Sequence, residues 1–526
     1  MPMDADITMQ QAGRLIEALS RADAYEHPTA DISIVETHCA WVLLTGEYAY
    51  KIKKPVDFGF LDFSTLEKRH FYCAEEVRLN RRFAPAVYLD VVAVTGRPER
   101  PQMAGSGSVI EYAVRMRQFS SDGLLSQFAE RQQLDASHID QLVDQVADFH
   151  QSTARASADD PYGEAQRIHH WVSENFQHIR PSLRSAQRVA QLDGIQQGVE
   201  AERERIETLL AHRKRDGFIR ECHGDLHLGN ITLIDGRVTL FDCIEFNAEL
   251  RWIDVFSDVA FLVMDLDDRH YRNYAFHFLN AYLQRSGDYQ GLGVLRYYMV
   301  YRALVRAKVA MLRRQQAARD TALFGSADAE YSQYIQLAAS YLAPDQPALL
   351  ITCGLSGSGK STVARQLSET SGMIQLRSDV ERKRMSGLDA ADKSRSGLDE
   401  GLYSASQTEK TYRHLAELAT GVLQAGYSVI VDATFLQRQY RDVFRRLAEK
   451  HGVDFTIVHC VATDKELEQR IQARERKGRD PSEATLAVLN AQRKNQQPPD
   501  LDEASHVIRL DGEAINNPGS AWRRGR

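Results

Sequence analysis

Cysteine is sparse and scattered in this chain. Six cysteines in 526 residues (Cys39, Cys73, Cys222, Cys243, Cys353 and Cys460) form no Cys-x-x-Cys pair. That excludes a zinc-ribbon or disulfide framework and suits a reducing cytoplasm. Long apolar runs are missing too. Val259–Met264 is among the longest, whereas a membrane-spanning helix needs about 20 apolar residues. Met1–Gln11 is polar and acidic, with no basic stretch leading into an apolar core, so no signal peptide is read. The expectation is a cytoplasmic protein without a membrane partner. Positive charge is not in excess either. The net charge of −7 disfavours nucleic acid as a general partner, although a local basic groove stays open.

The composition that is present, 43% hydrophobic and 26% charged, is that of an ordinary globular protein. The length exceeds one ordinary core and suggests about two to four structural units. Short strand patterns open the chain. Ala40–Leu44 and Tyr48–Ile52 flank Gly46 as a hairpin would, and Val87–Thr95 and Val109–Arg117 form a second pair. A helical pattern over Thr65–Phe83 lies between them. From Leu124 to Leu342 the pattern is mostly helical, interrupted by strand-rich Glu221–Phe246. Two prolines within residues 343–347 end the helix and mark a linker. Strands and helices then alternate, which indicates a parallel α/β sheet. The segment from Ala504 onward has no clear pattern.

In the second part, Gly354-Leu-Ser-Gly-Ser-Gly359-Lys360-Ser361 follows the apolar strand Ala348–Cys353 and precedes a helix. This is a Walker A loop in its confirming context. Backbone N–H groups close around phosphates, a lysine neutralises the β/γ charge, and a hydroxyl ligates Mg2+. The candidate ATP-binding residues are Gly354, Ser356, Gly357, Ser358, Gly359, Lys360, Ser361 and Thr362, with Ser361 also a metal ligand. Val429-Ile-Val-Asp432 reads as a Walker B strand whose Asp432 supports magnesium; a capped buried strand is the alternative. Asp379 ends the second strand, where ligands bind in open α/β sheets, and can take the proton of an attacking hydroxyl. Arg382 follows at helical spacing. A helix-capping aspartate with a solvated arginine is the competing reading. Arg470, Arg474, Arg476, Lys477 and Arg479 form a basic run, either a solvated face or a lid over the triphosphate, with Arg474 the candidate nucleotide contact.

These elements, over Ala348 to Arg493, resemble the small P-loop kinases that phosphorylate hydroxyls, such as polynucleotide kinase, gluconate kinase and zeta toxin. The Ser378-Asp-x-x-Arg382 element looks like the polynucleotide kinase substrate motif. The resemblance implies Asp379 as hydroxyl activator and Arg382 as charge stabiliser.

In the first part, His223-Gly-Asp225-Leu-His-Leu-Gly-Asn230 has the Asp-x-x-x-x-Asn spacing of a kinase catalytic loop. There the aspartate accepts the substrate hydroxyl proton and the asparagine holds magnesium. Asp235-Gly236 between apolar strands is a hairpin signal, and the second strand brings Asp242 back beside Asn230 as a second magnesium ligand. An ATP-anchoring lysine belongs on a front strand. Lys51 and Lys53 project to the same face of Tyr48–Lys53.

This passage resembles the aminoglycoside phosphotransferase-like family, which includes choline and homoserine kinases. The resemblance implies a bilobal protein-kinase-like fold. It favours Lys51 over Lys53 as anchor, names Glu76 ahead of Glu75 as its acid, and gives Asp254 and Asp258 structural roles. The Gly-x-Gly-x-x-Gly loop of protein kinases is absent, and Glu36-Thr-His-Cys39 stands between the first strands instead.

The expected architecture is therefore α+β followed by α/β. A kinase-like domain spans 1–342, with a small lobe over about 1–118 and a helical lobe over about 119–342. A linker covers 343–347 and a P-loop domain 348–526. The expected function is a bifunctional ATP- and Mg2+-dependent kinase acting on small hydroxyl acceptors. The alternatives are an ATP-binding regulator with one silent half, and a kinase of nucleic-acid 5′-hydroxyls or nucleotide sugars. His169, His170, Trp171 and Trp252 either line the front acceptor pocket or pack the helices.

Overall fold

The computed structural model describes residues 8–317, 321–344, 346–389, 392, 404–477, 484–511 and 518. Its regular structure begins with α1 (Met9–Leu19), which Thr8 and Gln11 start with a reciprocal capping box. Strands β1 (Ser33–Glu36), β2 (Ala40–Leu44) and β3 (Tyr48–Lys53) follow, then α2 (Leu66–Asn80), capped by the Thr65 hydroxyl. Next come β4 (Tyr88–Arg97), β5 (Arg100–Met103) and β6 (Val109–Arg117).

These six strands form one antiparallel sheet in the order β1-β2-β3-β6-β4-β5. The two sequence-read pairings are present, and the loop between the second pair contributes β5, which extends the sheet beyond β4. Side-chain alternation divides β3 between two small cores. Tyr50 and Ile52 join Leu15, Leu19 and Leu43 on the α1 side. Ala49 joins Cys73, Val77 and Val114 on the α2 side. Lys51 and Lys53 share the parity of Ala49, so both reach α2.

The chain continues through α3 (Leu125–Glu130), α4 (Ala136–Ser152), α5 (Ala165–Ile179) and α6 (Ala186–Arg215). Short strands β7 (Ile219–Glu221), β8 (Ile231–Ile234), β9 (Arg237–Leu240) and β10 (Trp252–Asp254) interrupt the helices. Helices α7 (Val255–Asp268), α8 (Arg272–Ser286), α9 (Leu292–Gln316) and α10 (Thr321–Leu342) complete this part.

The last part alternates as its sequence pattern requires. The elements are β11 (Ala348–Cys353), α11 (Lys360–Ser371), β12 (Ile374–Arg377), α12 (Ser378–Met385), α13 (Ala405–Gln424), β13 (Val429–Asp432), α14 (Arg438–His451) and β14 (Asp454–Cys460). They are followed by α15 (Asp464–Lys477), α16 (Leu486–Asn495) and β15 (Val507–Leu510). The five strands are all parallel, ordered β12-β13-β11-β14-β15. The unpatterned C-terminal segment therefore supplies an edge strand. Every residue of central β11 is buried. Leu349, Leu350 and Ile351 are fully covered, which stabilises the fold by roughly 1.5–3 kcal/mol per side chain.

Internal contacts divide the chain into two compact units. One comprises Met1–His138, Thr153–Glu164 and Arg213–Leu262; the other comprises Ile139–Ser152, Ala165–His212 and Val263–Arg526. Among the described residues no helix is long and apolar enough to cross a membrane.

Candidate functional site

The first unit brings Lys51, Glu76, Asp225, Asn230 and Asp242 together. Asp235 and Gly236 both take left-handed φ (51° and 73°), the geometry of a tight two-residue hairpin turn. β8 and β9 pair so that Ile231 faces Leu240, and the Phe241 N–H donates to the Asn230 carbonyl at 3.0 Å. The next residue, Asp242, leaves the ladder with a left-handed φ of 61°. For a non-glycine residue that costs on the order of 1–3 kcal/mol. Its N–H donates to the Tyr88 hydroxyl at 3.1 Å, and the following Cys243 N–H donates to Asn80 Oδ1 at 2.8 Å.

Lys51 Nζ lies 2.5 Å from Asp242 Oδ1 and 2.8 Å from Glu76 Oε1. Lys53 occupies a different position on the same face. It donates to Glu76 Oε2 at 2.7 Å and pairs with Glu245, with its side chain only 1% exposed. Burial alone would raise the Glu76 pKa, but the Lys51 and Lys53 charges outweigh it and hold that carboxyl below its usual range. Burial pushes Glu245 up, with Lys53 opposing. Glu75, the alternative acid, pairs instead with Arg78 and Arg251.

Asp225 and Asp242 are the open groups of this cluster, 36% and 41% exposed. Asn230 Nδ2 donates to Asp225 Oδ2 at 2.8 Å and to its carbonyl at 3.0 Å, which turns the amide oxygen the other way. His227 Nε2 stands 3.4 Å from Asp225 Oδ2. Behind the loop, Asp258 accepts the His223 and Gly224 N–H groups at 2.8 and 2.9 Å. His223 Nε2 donates to the Phe241 carbonyl at 2.9 Å, while its Nδ1 accepts the Asp225 N–H at 3.3 Å. Burial lowers the His223 pKa, in keeping with that neutral tautomer. Asp254 forms a buried pair with Arg213 at 2.6 Å. Asp258 thus braces the loop, whereas Asp254 is held by Arg213 and the Phe256 N–H. Trp252 stacks on Tyr162 at 5.6 Å.

The Thr37–Cys39 turn is pinned by Lys54, whose Nζ donates to Glu36 Oε1 at 2.6 Å and to the Thr37 carbonyl at 2.5 Å. His38 in that turn is near enough to be acted on by the charges of Asp225, Asp242 and Lys51. The turn thus lies within electrostatic reach of this site.

The second unit builds the P-loop site. Gly354, Gly357 and Gly359 have φ of 144°, 85° and 94°. A Cβ on Gly354 would come within 2.3 Å of the Cys460 carbonyl, so only glycine fits there. Lys360 Nζ donates to the Leu355 carbonyl at 2.7 Å. Burial raises the Asp432 pKa against the Arg377 charge, and burial lowers that of Lys360. Gln375 Nε2 donates to Asp432 Oδ2 at 3.2 Å and Arg377 Nε stands 3.7 Å from it.

A cavity of about 850 Å³ joins this cradle to Asp379 and Arg382. Ser356, Gly357, Gly359, Lys360, Ser361, Thr362 and Asp432 line it, as do Arg470 and Arg474. Gly354 and Ser358 of the loop are buried and outside that lining. Arg470 donates to the Gly357 carbonyl at 3.3 Å and Arg474 to the Ala484 carbonyl at 2.7 Å. Arg479 of the basic run lies outside the described residues. In the same unit His169 lies 3.1 Å from Glu200 and is packed among helices.

Sequence reasoning missed Arg377, Thr408, Tyr412, Tyr440 and Gln492. Arg377 adjoins Asp379 at the strand end, which was a usable signal. Tyr412 and Tyr440 stack at 4.0 Å, and Gln492 Oε1 accepts the Ser356 N–H at 2.9 Å; no local pattern marks these. In the first unit Asn80 and Glu245 were missed for the same reason.

The model of a phosphotransferase enzyme family matches residues 119–298, and that of an AAA domain matches residues 349–499. An uncharacterized protein of Mycobacterium tuberculosis is 32% identical over 502 residues, covering 94% of this chain and 96% of its own length. An uncharacterized protein of Mycobacterium bovis matches to the same extent. Among solved structures, a choline/ethanolamine kinase family protein from Mesorhizobium loti has a TM-score of 0.39 at 13% identity, over 64% of this chain and 98% of its own. A putative kinase from Chloroflexus aurantiacus has 0.29 at 22%, over 35% and 100%. A gluconokinase from Sinorhizobium meliloti has 0.25 at 20%, over 34% and 91%.

Proposed function

The chain belongs to the same family as these full-length mycobacterial proteins, with a phosphotransferase-family segment and a P-loop kinase-like segment in one polypeptide, and we propose that each segment transfers the γ-phosphate of ATP to a hydroxyl acceptor. The observation that carries the reading is the P-loop cavity, because one enclosure is lined both by the phosphate cradle and by Asp379 with Arg382. Hydroxyl phosphorylation needs these groups within reach of each other.

The residues present fit nucleotide and magnesium. Ser361 and Asp432 line the same cavity and offer hard oxygens, the donor type Mg2+ prefers. Asp242 and the amide oxygen of Asn230 offer the same in the first unit. ATP bound with magnesium would supply the transferable phosphoryl group, its β,γ P–O bond breaking to release ADP. Asp225 takes the proton of one acceptor hydroxyl as its oxygen attacks phosphorus, and Lys51 offsets phosphate charge. Asp379 takes the corresponding proton in the second unit, while Lys360 and Arg382 offset charge there. The acceptors are small metabolites in this reading.

Transfer from γ-labelled ATP into a metabolite extract tests the proposal, with Asp225→Ala and Lys360→Ala compared against the native chain. Two labelled products lost separately are expected. Loss of both products in either variant refutes independent sites, and absence of any labelled acceptor with ATP still bound refutes transfer.

A further inference from the structure

Within the second unit, α8 and the turn after it meet the P-loop elements at consecutive points. Strand β12 is an edge of the parallel sheet, so one row of its backbone groups lacks a strand partner. Asn280 of α8 fills that place. Its Nδ2 donates to the Met373 carbonyl at 2.9 Å and its Oδ1 accepts the Gln375 N–H at 2.7 Å. A parallel neighbouring residue would bond the same two groups, one before and one after its partner. The second amide hydrogen goes to the Phe276 carbonyl at 2.9 Å, so both amide hydrogens and the oxygen of this buried side chain are bonded.

Helix α12 leaves the end of β12 and has two faces. At about 100° per residue, Asp379 and Arg382 share one side, whereas Glu381 and Arg384 share the opposite one. The first side lines the cavity. On the other, buried Glu381 accepts the Tyr289 hydroxyl at 3.2 Å, and Arg384 donates to the Gln284 carbonyl. Gly287 at the end of α8 has φ +73°, and a Cβ there would lie 2.6 Å from Arg384 Nη1, so the approach is close. His277, one turn before Asn280, contacts Glu369 of the Walker A helix at 2.8 Å.

We propose that Asn280 and Tyr289 are positioning residues for the P-loop site: the helices preceding the linker form the supporting wall that sets where β12 and α12 hold Asp379 and Arg382. The P-loop segment then works as part of a larger unit and not as a free-standing kinase. This rests on the reading of Asp379 and Arg382 as groups that act on the acceptor, so the test separates the two claims.

Amide hydrogen exchange and Lys360-dependent phosphate transfer are measured on the full chain, its Tyr289→Phe variant and its Asn280→Ala variant. Tyr289→Phe keeps shape and removes one hydrogen bond, so it guards against misfolding of the other. Exchange over 374–385 is expected to rise about tenfold in each variant, with the α11 and β11 amides unchanged. Transfer is expected to fall about tenfold while the ATP Kd stays within about twofold, a split that general destabilisation does not produce. Unaltered exchange over 374–385 in both variants overturns the proposal, as does an equal rise in α11. If the native chain shows no Lys360-dependent transfer, the kinase reading falls, and exchange alone decides the support role.

Discussion

Replacing Lys53 with Met should unfold the first unit far more readily than the same change at Lys51, although both lysines lie on one face of β3. Lys53 is 1% exposed between Glu76 and Glu245, themselves 0% and 6% exposed. Lys53→Met leaves Glu76 its ion pair with Lys51 at 2.8 Å but deprives Glu245 of the ammonium that offsets its burial. An uncompensated buried carboxylate costs about 3–5 kcal/mol. For a unit of this size that is roughly 6–20 °C in Tm. In Lys51→Met, Glu76 keeps Lys53 and the 41% exposed Asp242 rehydrates, so the loss is about 1 kcal/mol or less. Phosphate transfer by this unit, however, should fall about 10²–10³-fold, the usual loss when a charge-stabilising group is removed.

Scanning calorimetry of both variants, with transfer from γ-labelled ATP, checks this. Burial already raises Glu245, so in Lys53→Met the folded form binds a proton more readily than the unfolded one. Its deficit should shrink as the pH falls. Adding Glu245→Met should recover most of the loss, because the pair is then replaced by apolar groups. Equal Tm losses in the two single variants, or no recovery in the double variant, would refute the reasoning.

His277 touches Asp140 and Glu369, and the Glu369 bond, opposed by burial and aided by Asp140, raises its pKa. Its contribution is full below the unfolded pKa near 6.5 and fades as pH rises through the higher folded value. His277→Gln should flatten that part of the stability–pH curve in urea titrations, and an unchanged slope would count against a stabilising His277–Glu369 pair. Gly357→Ala forces a side chain into φ +85° with its Cβ 2.9 Å from the Leu467 carbonyl. That strain of about 1–3 kcal/mol should shift the loop and weaken Lys360-dependent ATP binding about tenfold or more by equilibrium titration; an unaltered Kd would show that the loop tolerates it. Arg441 is buried with Glu503 at 2.7 Å and also donates to the Phe435 and Gln497 carbonyls. Arg441→Met should cost about 3–5 kcal/mol in denaturant unfolding of the second unit, and a loss below about 1 kcal/mol would mean water reaches Glu503.

The sequence by itself determined what depends on residues close together along the chain. Asp225 and Asn230, the Asp235-Gly236 turn and Asp242 form one passage, and backbone rules for a short hairpin bring its ends together. The Walker A loop is equally local, since a strand, three glycines and a helix start make a phosphate cradle from their own backbone. The parallel sheet followed from alternating patterns, except for β15, whose four residues carry too little pattern to read.

Tertiary structure alone decided what depends on distant partners. Lys51 and Lys53 have the same strand parity, and no local rule separates them. The difference lies in Asp242, 191 positions away, which meets Lys51, and Glu245, which takes Lys53. Tyr412 and Tyr440 come from separate helices, and Gln492 reaches Ser356 across 136 positions. The same holds for Asn280, an unremarkable polar residue in a helical pattern until the edge of β12 is set against it. Side-chain periodicity says which face a residue occupies, but only packing of the whole chain says what that face meets.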